Sequence, residues 1–470
     1  MLKKLVILSV VILFSAANLY AENINLVGIW NGELSVSGLK FRLAFNLSDS
    51  NGGLTATMDS PDQGAYDIPI DSAIVRHDSL FLYQAALKAM YVGTINSDYQ
   101  SITGQWHQGG MSFPLDLTKG DKLMLNRPQE PLPPYPYLEE EISYTNPDDG
   151  AVLAGTLTLP QGEGPFPAAL LITGSGAQDR DELIFGHKPF KVIADYLTRK
   201  GIAVLRVDDR GYGKSTGDME NATTMTFVGD AQAGVEFLKN RPEIDKSKIG
   251  LIGHSEGAII APILATTTDD IDYIVMLAGT GLNGQQILLK QADDLMRAEG
   301  LSDQIIQSSN FLRENMYRIV LEESDYPTIN KKVKQFVTDN RDILDPEFLE
   351  IVDTSSEQSW ALAIQQAMSP WMKFFLKYDP YPALAKVKCP ALYLVGEKDL
   401  QVNAEDNAPI IDKALSEAGN QHYQVIRLEN LNHLFQTCET GKVEEYGQIE
   451  ETISPAVLKI IGDWISEQIK

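Results

Sequence analysis

Gly253-His254-Ser255-Glu256-Gly257 is the segment of this chain best suited to covalent chemistry. It follows the apolar run KIGLIG, which reads as a buried strand, and opens EGAIIAPILA, which reads as a helix. A tight strand-turn-helix holds the central serine in a strained backbone conformation and lifts its hydroxyl above the sheet. The helix amino terminus beside it favours developing negative charge. Glycines on both sides keep side chains out of the crowded turn. Structural turns carry the same five-residue pattern, and the strand and helix around it decide for a nucleophile.

A serine hydroxyl needs a base. The chain has six histidines: His77, His107, His187, His254, His422 and His433. The first two fall in a β-rich region. His254 points away from its neighbour Ser255, and His422 begins a strand at the wrong end of the sheet. His187 starts a helix, but no residue orders it behind Ser255. His433, in ENLNHLFQ, follows the last strand and precedes the last helix. It is the base by elimination and position. The base needs an acid to hold its tautomer. Asp399, just past the strand ALYLVG, takes that role, with Glu397 as competitor. The chain order is then serine, acid, histidine.

An oxyanion hole needs two backbone N–H groups aimed at one point. Glu256, directly after the serine, supplies one. Ser175 in Thr173-Gly174-Ser175-Gly176 supplies the other, with Gly176 as the alternative. The Glu256 side chain reads as an acid in a helix's first turn, or as a partner for a cationic substrate group. VDDRGYGKSTG lacks the spacing of a phosphate loop, and Asp208 and Arg210 there read as loop braces. AQDRDE lines the cleft entrance or pairs with residues of a cap.

These residues need a sheet to position them. From residue 138 onward an opening hairpin, EISYTN and AVLAGTLTLP, leads into strands that alternate with helices. Continuous apolar strands with helices between them predict a mostly parallel sheet covered on both faces, an α/β fold. Residues 282–380 interrupt this rhythm and read as a helical cap inserted between the sixth and seventh strands. Residues 22–127 read as all-β, about eight short strands divided by turn signals such as SNGG and QGG. A small barrel or sandwich is expected there. Trp30 and Trp106 read as core. Either a packing role or binding of a glycan or other ligand suits this region, whose GIWNGEL loosely resembles the opening strand of lipocalin-like barrels. PQEPLPPYPY at 128–137 reads as a stiff linker.

Met1-Leu2-Lys3-Lys4 followed by LVILSVVILFSAA reads as a signal peptide cleaved after Ala21. An uncleaved anchor is the other reading. A periplasmic or secreted bacterial protein is expected. No later run is long and apolar enough to span a bilayer. The 470 residues suit two domains, and 44% apolar with 22% charged residues is ordinary globular composition. The net charge of −25 becomes two units more negative without Lys3 and Lys4, which argues against nucleic-acid binding. Cys389 and Cys438 are expected unpaired, and no Cys/His spacing suggests a metal.

Taken in order, TGSGAQDRDE, VDDRGYGKSTG, GHSEG, LVGEKD and NHLF resemble the α/β-hydrolase superfamily. Within it the likeness is to bacterial carboxylesterases and to serine aminopeptidase-like or dienelactone hydrolase-like enzymes, some with an extra amino-terminal domain. The resemblance covers roughly 138–470. The position before the oxyanion glycine, usually histidine, is Thr173 here. The resemblance implies hydrolysis of small-molecule esters with short acyl groups through an acyl-enzyme, without a cofactor. Serine aminopeptidase-like or short-peptide hydrolysis is the alternative.

Overall fold

Alternation of apolar and polar residues builds the amino-terminal strands, and the structure, a computed structural model, describes them within residues 26–36, 39–50, 53–61, 65–121, 126–352 and 357–470. The signal peptide expected at 1–21 lies outside the described residues. The chain divides into two units, one of 1–126 with 184–186, the other of 127–183 with 187–470.

The first unit holds β1 (Gly28–Val36), β2 (Leu39–Ser50), β3 (Gly53–Ser60), β4 (Ala65–Ile70), β5 (Ser72–Arg76), β6 (Ser79–Gln84), β7 (Ala89–Ile95), β8 (Ser101–Gln108), β9 (Met111–Pro114) and β10 (Leu117–Gly120). Its antiparallel order is β4-β3-β2-β1-β10-β8-β7-β6-β5, with β9 on β8. Only Asp71 separates β4 from β5, at opposite ends of that order, so the chain itself draws the two edges together. The Asp71 N–H donates to Tyr83 O in β6 at 2.9 Å. Leu43, Phe45 and Leu47 of β2 and Leu80 and Leu82 of β6 turn inward at period two. Trp30 and Trp106 join that core, and each indole N–H finds an acceptor, Leu26 O and the Gln108 side chain. Ten strands replace the expected eight or so, partly because MSFPLDL spans both β9 and the start of β10.

The second unit holds β11 (Leu138–Thr145), β12 (Val152–Leu159), β13 (Phe166–Ile172), β14 (Ala203–Val207), β15 (Ile244–His254), β16 (Tyr273–Leu277), β17 (Ala391–Gly396) and β18 (Tyr423–Leu428). Their order is β11-β12-β14-β13-β15-β16-β17-β18, parallel from β14 to β18. Successive residues of the central strands serve opposite faces, as the continuous apolar runs require. Leu170, Leu251, Ile274 and Tyr393 face one layer, and Leu171, Ile252, Val275 and Leu394 the other. The second of these layers is closed by α1 (Pro189–Arg199). Helices α2 (Thr224–Lys239) and α3 (Gly257–Ala265) cover the first.

Between β16 and β17 come α4 (Gly284–Ala298), α5 (Asp303–Glu322), α6 (Tyr326–Asp339), α7 (Pro346–Ile351), α8 (Glu357–Met368), α9 (Pro370–Phe375) and α10 (Tyr381–Leu384). Side chains of Asn283, Ser302, Asp325, Asp345 and Ser369 cap five of these helices, which explains their sharp starts. Ile305, Leu312, Val320, Val333 and Trp360 give the insertion a core of its own. Beyond it, α11 (Ala404–Glu417) covers the same face as α2 and α3. After α12 (Val443–Tyr446), α13 (Pro455–Gln468) joins α1. The proline-rich stretch is docked within this unit. Arg127 donates to the Ile449 and Gly447 carbonyls, and Gln129 donates to Ile453 O. Cys389 and Cys438 are unpaired.

Candidate active site

Parallel register sets the carboxyl ends of the central strands side by side. Ile172 pairs Gly253, His254 pairs Leu277, and Gly396 pairs Leu428. The loops leaving these strands therefore open at one edge of the sheet. Ser255 leaves β15 with φ +52°, a left-handed conformation that costs a non-glycine residue on the order of 1–3 kcal/mol. The surroundings hold it there. Its N–H donates to Leu277 O at 2.8 Å, and its carbonyl accepts from Ala258 N–H at 3.1 Å. The flanking glycines are sterically required. A Cβ on Gly253 would sit 2.0 Å from Gly257 O, and one on Gly257 would sit 2.1 Å from Ile172 O.

Asp399 is 1% exposed, and its carboxylate is saturated. Oδ1 accepts the N–H groups of Gln401 and Val402, both at 2.8 Å, and Oδ2 lies 2.8 Å from His433 Nδ1. Asn432 shapes the histidine's turn, accepting the N–H groups of Leu434 and Gln436 at 3.0 Å. Asp399 occupies Nδ1, so Nε2 is the nitrogen left for proton transfer. Ser255 and His433 are not hydrogen-bonded to each other. Such contacts are often long without substrate and tighten when it binds. Glu397 turns outward to Arg427 at 3.3 Å. His187 is fully buried against Thr452 Oγ1 and Tyr446 O, and His422 is exposed at the start of β18.

The N–H groups of Ser175, Gly176 and Glu256 donate to no described residue. Ser175 and Glu256 line one cleft with Ser255, whereas Gly176 lines the neighbouring cavity. Gly174 N–H is taken by Glu182 Oε1 at 2.8 Å. Thr173, in the position usually held by histidine, donates through Oγ1 to Asp209 at 2.7 Å, and Asp209 also accepts the Gln178 N–H. Burial, aided by the nearby Glu182 and Glu256, pushes the Asp209 carboxyl up to about 7 against those two bonds. Asp208 braces the loops as expected, bonded to Arg180, and Arg210 grips Asp230 and Asp149.

Two acids carry roles that sequence reasoning missed. Glu182, the last residue of AQDRDE, is 1% exposed and sits 2.9 Å from His254 Nδ1. Its only sequence signal is an acid in a loop leading into the buried His187. Glu256 is also buried. Its Oε1 accepts from Thr224 Oγ1 at 2.6 Å and from Trp371 Nε1 at 2.8 Å, joining α2, the elbow and α9. Burial raises its carboxyl above the usual range, opposed by those two bonds. Ile287, Leu288, Trp371 and Phe375 wall the cleft over Ser255.

Residues 169–441, more than half of the chain, match the model of the alpha/beta hydrolase family. The esterase EstD of Thermotoga maritima is 28% identical over 313 residues, covering 67% of this chain and 65% of that protein. The esterase FrsA of Klebsiella pneumoniae is 31% identical over 121 residues, 26% of this chain and 27% of that protein. The chain thus matches less than two thirds of each relative's own length. Among solved structures, the alpha/beta hydrolase GrgF from Penicillium sp. sh18 aligns with a TM-score of 0.45 at 16% identity, covering 70% of this chain and 99% of that one.

Proposed function

We propose that this chain, which belongs to the α/β-hydrolase family, is an exported serine hydrolase that cleaves carboxylic esters of short acyl groups. Ser255 Oγ attacks the ester carbonyl while His433 Nε2 takes its proton. Asp399 holds the His433 tautomer and stabilises the imidazolium. The Ser175 and Glu256 N–H groups receive the oxyanion. His433 returns the proton to the departing alcohol, and water activated by the same histidine releases the acid from Ser255. No cofactor takes part.

The observation that carries the reading is the 2.8 Å bond from His433 Nδ1 to a saturated, buried Asp399, at the same sheet edge as a serine held at φ +52°. The apolar wall and modest size of the cleft support short acyl groups. The apolar leader supports export to the periplasm or medium. The cleft is consistent with a small-molecule ester as the reacting partner, and a glycan or other ligand for the amino-terminal unit stays part of the proposal.

Labelling with a fluorophosphonate tests the nucleophile. Full-length protein should label and Ser255→Ala should not. Labelling that survives the substitution would overturn the assignment. Turnover of p-nitrophenyl acetate and butyrate above that of the dodecanoate is expected. Aminoacyl anilides cleaved as fast as esters would establish the peptidase alternative instead.

A further inference from the structure

Among the described residues, Glu256 is a buried carboxylate at the reaction centre with no cation beside it. It is 3% exposed and lines the cleft together with Ser255. Both of its hydrogen bonds, from Thr224 and Trp371, land on one oxygen, Oε1. The other oxygen, Oε2, accepts none and is not among the sealed, unpartnered atoms of the interior, so it keeps some accessible surface on a residue that lines both the Ser255 cleft and the neighbouring cavity. No Lys, Arg or His forms an ion pair with this residue, whereas most other buried acids here have one, such as Asp208 with Arg180 and Asp230 with Arg210.

Leaving a buried carboxylate without a counter-charge costs several kcal/mol. The amino terminus of α3 offsets roughly 0.3–1 kcal/mol of this, and two neutral donors on one oxygen leave the second unsatisfied. Nearby Asp209 is also an acid and forms no ion pair among the described residues, whereas Glu182 is taken up by His254. The neighbouring cavity shares Glu256 and is lined further by Asp208, Asp209, Asp230 and Arg210, but Arg210 is held by Asp149 and Asp230, and Asp208 by Arg180. An arrangement that lacks only a cation, and opens on a substrate cleft, is completed by a cationic substrate.

We propose that Glu256 Oε2 binds a primary ammonium of the substrate, so that this enzyme acts on amino-bearing esters such as amino-acid esters. The proposal rests on the hydrolase reading of Ser255 given above. Glu256 and Ser255 are adjacent in the chain and open on one cleft. An ammonium held at Glu256 and the carbonyl that Ser255 attacks then belong to one substrate in that cleft. The apolar wall of Ile287, Leu288, Trp371 and Phe375 is left for a hydrocarbon side chain. Glu256 then acts twice, its N–H on the oxyanion and its carboxylate as a specificity determinant.

Two esters of the same shape separate the possibilities: L-phenylalanine methyl ester and methyl 3-phenylpropanoate, which lacks only the ammonium. With full-length protein, kcat/KM should favour the amino ester on the order of 10²-fold or more, because a site built for a polar group rejects the analogue without it. In Glu256→Gln the ratio should fall toward one, mostly through KM. A ratio near one in the unsubstituted protein, or an unchanged ratio in Glu256→Gln, overturns the proposal. A binding measurement stands apart from turnover. In Ser255→Ala protein, phenethylammonium should raise the thermal midpoint and phenethyl alcohol should not. Equal effects of the two overturn the ammonium site even where hydrolysis is intact. An ammonium-specific shift in a protein that never labels with fluorophosphonate would instead retire the hydrolase reading and leave the site standing.

Discussion

His254 Nε2 lies 3.1 Å from the carbonyl oxygen of His433, while Nδ1 of the same ring lies 2.9 Å from Glu182 Oε1. Both partners are acceptors, since Glu182 Oε1 also receives the Gly174 N–H. A ring between two acceptors can donate to both only as an imidazolium, the form this arrangement favours. Burial opposes the charge, and the adjacent Glu182 carboxylate outweighs it, leaving the His254 pKa raised. This buried pair thus ties the loop at Gly174, the elbow and the turn that carries His433.

Glu182→Gln should therefore impair turnover without removing any group that touches substrate. Displacing catalytic groups by about 1 Å costs on the order of 10²-fold. We expect kcat to fall 10- to 100-fold with KM little changed and a folded protein by circular dichroism. Equal kcat in the variant would sink the positioning role.

The same pair sets a pH dependence of stability. A histidine whose folded pKa is raised contributes stability that is complete below its unfolded value near 6.5 and fades as pH rises through the folded value. The thermal midpoint of the unsubstituted protein should exceed that of His254→Gln most at pH 5.5 to 6, and the gap should narrow at alkaline pH. A gap that widens with pH would show that the ring is neutral.

Asp209 works in the opposite sense from an ordinary paired acid. Its carboxyl is raised from 3.8 to about 7, so its contribution is complete below pH 4 and is lost as pH climbs through 7. The displacement caps the effect at about 4 kcal/mol, and water at this half-buried position reduces it. Asp209→Asn should be more stable than the unsubstituted protein at pH 8 and lose that advantage at pH 4.5. Melting curves at the two values decide it, with each kcal/mol worth roughly 2–4 °C.

How far the sequence could be read depended on whether a residue's role was local. The elbow was legible because Gly253 and Gly257 are required by contacts within the strand-turn-helix itself. The central strands were legible because period-two burial leaves continuous apolar runs. Asp399 and His433 could be matched from chain order and strand ends, and the structure joins them at 2.8 Å. Glu182 was opaque, since AQDRDE looks like any polar loop until folding buries its last residue against His254. The Glu256 side chain was half legible. Its exposure depends on Trp371, far along the chain, and no local pattern announces that an indole from α9 will cover it. β9 and β10 were hard to separate for a plainer reason, being only four residues each.

Trp371 offers the last test, because it serves Glu256 and the cleft at once. Its Nε1 donates to Glu256 Oε1 at 2.8 Å, and its ring stacks on Phe375 with centroids 4.9 Å apart. Trp371→Phe removes the donor and keeps an aromatic wall. Glu256 is then left with Thr224 alone, and losing one partner of a buried charged group costs about 1–3 kcal/mol. The carboxylate, less well satisfied, should draw a stronger benefit from a bound cation. A smaller ring also opens the cleft. The expected outcome is a lower thermal midpoint, a preference among p-nitrophenyl esters moved toward longer acyl chains, and a larger stabilisation by phenethylammonium than the unsubstituted protein shows. If stability and chain-length preference both stay unchanged, Trp371 neither satisfies Glu256 nor walls the acyl pocket in solution.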